Sequence, residues 1–142
     1  VDVYYEVQNR PAIRELCDVI MINCYPYWEG AAISHAGLYL QEMYHNVKRL
    51  VPEKKVIIAE TGWPSEGGVI KSANPSPKNV MRYFMDIDHW QRQAGVEVFY
   101  FSSFDESWKV HLEGWAGSSW GLWNEKEEFK YESRSKRVRS LE

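Results

Sequence analysis

Val56-Ile57-Ile58-Ala59-Glu60-Thr61-Gly62-Trp63-Pro64-Ser65 joins four apolar residues without alternation to one carboxylate and then to a tight aromatic loop. Such a run suits a parallel strand covered on both faces better than an antiparallel strand with one wet face. Glu60 then marks the strand's carboxyl end, where parallel α/β sheets build their ligand sites. Alone, Glu60 reads as the first polar residue after a core strand. Its surroundings favour chemistry: Gly62 permits a backbone conformation other residues avoid, Pro64 stiffens the loop, and Trp63 offers a flat face on which a sugar ring can stack.

Outward from this stretch, helix and strand signals alternate. Upstream, His35 to Val51 carries Leu40, Met43, Tyr44, Val47, Leu50 and Val51 on one helical face, with Lys48 and Arg49 near the end where the dipole favours cations, and Pro52 stops it. Before it, Val19 to Cys24 reads as a buried strand and Tyr25 to Gly30 as an aromatic loop at its carboxyl end. Pro11 suits the first turn of a short helix with Ile13, Leu16 and Cys17 on one side, while Val1 to Tyr5 fits a strand remnant or a helix start. Downstream, Ser76 and Pro77 open a helix whose stripe is Val80, Tyr83, Phe84 and Ile87, ended by Gly95, and Val96 to Phe101 is a third strand. This is the βαβ grammar of a parallel sheet.

With 142 residues, 44% hydrophobic and 15% aromatic, the chain has material for one domain core. Its net charge of −3, without a basic stripe among aromatics, argues against nucleic acid, and no apolar run approaches the roughly 20 residues of a bilayer span. Cys17 and Cys24 lack partners at metal-ligand spacing, so no metal or cofactor is expected; they read as small buried residues, with a disulfide between them left open. The chain opens on Val1 with no charged-then-apolar leader, which reads as a cut or processed start. Residues 1–133 form the domain, and 134–142 a basic polar tail whose Leu141-Glu142 looks like a cloning scar.

Ala59 to Ser65 followed by Gly67-Gly68 resembles the nucleophile segment of glycoside hydrolase family 17, the β-1,3-glucanase family, which folds as a (β/α)8 barrel. The resemblance implies that Glu60 ends strand seven and attacks the anomeric carbon. Asn23-Cys24-Tyr25-Pro26-Tyr27-Trp28 resembles the end of strand six, where it lines the cleft, and Phe104-Asp105-Glu106-Ser107-Trp108-Lys109 resembles the end of strand eight, implying an active-site Glu106 and Lys109. Glu113 and the Trp-Gly-rich stretch to Asn124 resemble the closing loop. Tyr25, Tyr27, Trp28, Trp63 and Trp108 are then stacking surfaces for β-glucan, with Asn23 and Glu113 as polar contacts.

A whole barrel takes about 250 residues. The expected architecture is therefore α/β, a partial barrel of three to four parallel βα units, completed by an amino-terminal half or by a second copy pairing along its open edges. Retaining hydrolysis needs a second carboxylate roughly 5 to 5.5 Å from the first. The family's acid/base lies on strand four, outside this chain, which leaves Glu106 as a candidate. The readings are an endo-β-1,3-glucanase-type hydrolase, an incomplete fragment or non-catalytic glucan binder, and a glucan transglycosylase; secretion or a cell-envelope location follows from the resemblance alone.

Overall fold

The structure, a computed structural model, describes residues 3–131. Nine elements carry it: α1 (Val3–Asn9), α2 (Pro11–Leu16), β1 (Val19–Asn23), α3 (Pro26–Glu29), α4 (Ile33–Leu50), β2 (Lys55–Thr61), α5 (Pro77–Ala94), β3 (Val98–Tyr100) and α6 (Val110–Ser118), the last preceded by a 3-10 turn at Ser107–Lys109. The three strands pair in parallel in the order β1-β2-β3, and α4 and α5 are the crossovers between them. Val1 to Tyr5 therefore resolves in favour of helix from Val3 onward. The basic tail expected from Arg134 to Glu142 lies outside the described residues. Among the described residues no helix is long and apolar enough to cross a membrane.

The crossover helices follow their sequence signals. Ala36, Leu40, Met43 and Val47 recur at helical spacing on α4 and are all buried. On α5 the Ser76 hydroxyl accepts the Asn79 amide at 3.1 Å, Pro77 supplies the first turn, and Gly95 closes the helix at φ 64°. Trp90 takes the fourth place in the buried stripe, while Phe84 is half-buried with its ring 5.0 Å from that of Tyr100. Two expected contributors fall outside the core: Leu16 is 85% exposed and Leu50 lies beyond the last buried turn of α4.

The sheet is covered on one face only. Ile20, Ile22, Val56 and Ile58 pack against the helices, whereas on the opposite face Val19, Met21 and Phe99 of the flanking strands are 40%, 47% and 60% exposed and only Ile57 of the middle strand, between its neighbours, is shielded. The strands are written for burial on both faces, but the described residues cover just the helix side. Of the Trp-Gly-rich stretch expected as a closing loop, the part up to Ser118 winds into α6, broken at Gly114 where φ is 69°, while Ser119 to Asn124, with Trp120 and Trp123, lies outside any helix as expected. Both cysteines are thiols, Cys24 buried and Cys17 half-buried.

Candidate active site

Glu60 is the penultimate residue of β2 rather than the first residue beyond it. Its aim comes from a slip in the ladder: Ile22 pairs with Ile58, but Asn23 pairs with Glu60, skipping Ala59. Simple alternation from buried Ile58 would turn Glu60 toward the helices. The slip puts Glu60 on the open face beside Asn23 and sends Thr61 to the helix side, where its hydroxyl meets that of Tyr83 at 2.7 Å. A bulge that re-aims a side chain is a common device at functional sites. Gly62 serves a close approach and not an unusual φ: a Cβ there would lie 1.8 Å from the Phe101 carbonyl oxygen.

Glu60 opens into a cleft of about 470 Å³ whose walls include Asn23, Tyr25, Trp28, Lys109, Glu113 and Trp120. The Tyr25 hydroxyl donates to Oε2 of Glu60. Burial, reinforced by this hydrogen bond and the charge of Glu60, pushes the Tyr25 hydroxyl far above its ordinary value, so it stays a proton donor to the carboxylate. Lys109 Nζ is fixed by Glu106 Oε2 at 2.5 Å and lies 4.6 Å from the Phe101 ring centroid and 5.3 Å from that of Trp108. Glu113 rests on Gly117, where any Cβ would meet the Glu113 Cβ at 2.3 Å. The cleft thus carries one carboxylate with a fixed hydrogen-bond donor, one held cation, and aromatic walls.

Of the expected residues, Asn23, Tyr25, Trp28, Glu60, Lys109 and Glu113 meet at this cleft. Four do not. Trp63 is fully buried, its ring packed on Tyr27 and Tyr83 and its indole N–H donating to the Asn74 carbonyl at 3.1 Å, so it is core and not a stacking platform. Tyr27 is likewise 1% exposed, its hydroxyl spent on the Gly68 carbonyl at 2.6 Å. Trp108 is exposed outside the cleft, and Glu106 faces Lys109 rather than lining the cavity. Three wall residues escaped the sequence reading: Glu29, Phe101 and Trp120. Trp120 is 2% exposed with its ring 5.4 Å from Tyr25, a contact between positions far apart in the chain that no local pattern announces.

A polar clasp fixes the loops on this side. Lys130 Nζ donates to Asp105 Oδ1 at 2.7 Å and Ser65 Oγ at 2.8 Å, and the same Asp105 oxygen accepts the Gly121 amide at 2.9 Å. Ser65 and Ser119 bond through backbone at 3.0 Å, joining the loop after β2 to the end of α6.

Residues 1–121 match the family model of the BtgE/BtgC glycoside hydrolase domain. A glucan 1,3-beta-glucosidase of Saccharomyces cerevisiae is 27% identical over 128 residues, 84% of this chain and 41% of that protein. The structure of a glycoside hydrolase family 17 beta-1,3-glucanosyltransferase from Rhizomucor miehei superposes with a TM-score of 0.82 at 32% identity, over 89% of this chain and 46% of that one. An active-site mutant of the Rhizomucor protein, in complex with laminaritriose, superposes equally well over 91% of this chain. The chain spans under half the length of these relatives, which accounts for three parallel strands with one face uncovered: it is a partial (β/α)8 barrel. The bulged middle strand, its carboxylate and the matched residues together establish that the chain belongs to glycoside hydrolase family 17, in its BtgE/BtgC domain.

Proposed function

We propose that this chain supplies the nucleophile side of a retaining site acting on β-1,3-glucan. The reading rests on one observation above all: Glu60 sits at the carboxyl end of the middle strand, bonded by the Tyr25 hydroxyl, in a cleft walled by Trp28 and Trp120. Glu60 attacks the anomeric carbon of a bound glucosyl unit, and Tyr25 holds the carboxylate in line. Lys109, positioned by Glu106, favours negative charge in the cavity. The second carboxylate, which protonates the leaving oxygen, comes from barrel strands beyond this chain. A second copy is a poor source, because twice the three strands described here gives six, short of the eight of a closed barrel, and Glu106 is already engaged by Lys109.

Glucosyl transfer to another sugar is the reading favoured by the likeness to the Rhizomucor glucanosyltransferase at 32% identity. In that case the glucosyl-enzyme formed on Glu60 is opened by a sugar hydroxyl in place of water. The test is product analysis with laminari-oligosaccharides on the complete protein. Glu60→Gln is expected to reduce turnover by roughly 10⁴-fold or more while binding persists. Products longer than the substrate identify transfer, and shorter ones alone identify hydrolysis. Binding by the wild type without any turnover would make the protein a glucan binder and overturn the catalytic reading.

A further inference from the structure

Thr61 is polar yet fully buried, on the helix side of the sheet at the end of β2. From Ile58 to Thr61 the middle strand takes three steps, while β3 takes two from Val98 to Tyr100. Against β1 the middle strand likewise gains a residue, between Ile58 and Glu60. The surplus residue therefore belongs to β2 itself, set against both neighbours, and it is what turns Glu60 to the open face.

Such a surplus has to be held, because regular pairing lies a single residue away and would reverse every side chain beyond it. Two main-chain bonds contribute: the Glu60 carbonyl accepts the Cys24 amide at 2.9 Å, and the Thr61 carbonyl accepts the Phe101 amide at 2.7 Å. A third tie joins side chains. The hydroxyls of Thr61 and Tyr83 meet at 2.7 Å with both residues fully buried, and regular pairing would carry the Thr61 hydroxyl away from Tyr83 to the other face. This bond thus forms only in the arrangement that presents Glu60 to the cleft. Tyr83 is itself well anchored, its ring 5.6 Å from that of the buried Trp63. It reaches β2 from the crossover helix α5 and is no wall of the cleft. We infer that Tyr83 is a positioning residue for the nucleophile, holding through the Thr61 hydroxyl the bulge that aims the Glu60 carboxylate at the anomeric carbon. The inference rests on the nucleophile reading above. Attack demands alignment more strictly than binding does, so loss of the tie slows the chemical step while Trp28 and Trp120 still hold the sugar.

The probe is a 2-deoxy-2-fluoro laminaribioside with dinitrophenolate as leaving group, added to the complete protein. Glu60 bonds to C1, the C1–O bond breaks, and its electron pair departs on dinitrophenolate, which needs no proton from a second carboxylate. The fluorine slows release of the glycosyl-enzyme, so mass spectrometry follows labelling of Glu60 directly. Tyr83→Phe and Thr61→Val keep the side-chain shapes, and each is expected to lower the labelling rate at saturation about tenfold with the half-saturating concentration within about twofold. The double variant should be about as slow as either single one, because both cut the same bond. Thr61→Ser keeps the hydroxyl and should recover about half of the wild-type rate or more. Ser76→Ala, which weakens the same helix at its cap, controls for lost stability and should label at the wild-type rate. Unchanged labelling in Tyr83→Phe, additive losses in the double variant, or an equal loss in Ser76→Ala would overturn the positioning role and leave the nucleophile reading intact. Wild-type protein that takes no label, or takes it elsewhere than Glu60, would overturn both.

Discussion

Trp28 and Trp63 look alike in sequence, each an indole beside a proline-containing loop, and they divide the labour between cleft and core. Trp63 is wholly buried and Trp28 is 40% exposed. Trp63→Ala should therefore cost about 3–5 kcal/mol in chemical denaturation. Trp28→Ala should cost about 1 kcal/mol or less but weaken oligosaccharide binding about tenfold. The opposite pattern would make Trp63 the stacking wall. The carboxylate itself was legible, because a Glu after an apolar run and before a Gly-Trp-Pro turn marks a strand end. Its orientation was not: the slip that skips Ala59 depends on the pairing of two strands, which composition does not encode. The role of Gly62 was misread for the same reason, since the Phe101 carbonyl that crowds it lies far along the chain.

Among the elements, α5 was readable end to end because cap, stripe and stop signals agree, while α4 was readable from its stripe and its stop but not at its start, where Ala32 supplies no cap. Ser76→Ala on α5 removes the acceptor for the Asn79 amide and should cost about 1 kcal/mol. A scanning thermal melt should show a fall of about 3–5 °C, and an unchanged melt would mean that the cap contributes nothing. The strand β1 was readable as a strand but not in its burial, since Val19 and Met21 are apolar residues on the uncovered face. Helix α6 was not legible at all: Gly114 and Gly117 read as loop, and its close approach to the Gly67 backbone involves a segment far away in the chain.

At the scale of the whole molecule, buried tyrosines, among them the four that follow, tie stability to alkaline pH. Burial raises the hydroxyls of Tyr25, Tyr83, Tyr100 and Tyr131 above the ordinary value near 10. A group raised in the folded state contributes stability that is complete below its unfolded value and drains away as pH climbs toward the folded one. Stability should thus decline from about pH 10 upward, and these hydroxyls should ionise only as the chain unfolds. Tyrosinate absorbance rising smoothly before loss of circular dichroism would contradict this. The half-barrel architecture was foreseeable from length set against motif order, and the uncovered sheet face is its physical counterpart.

Lys130 bonds Ser65 across a separation of 65 residues. In a nascent polypeptide that amine is made last of the groups it joins, so the rim beside Glu60 stays unbuttoned until synthesis has passed it. Any truncation short of Lys130 should leave the sheet assembled but its mouth slack, which makes the downstream end of the domain a condition for shaping a cavity built almost entirely upstream.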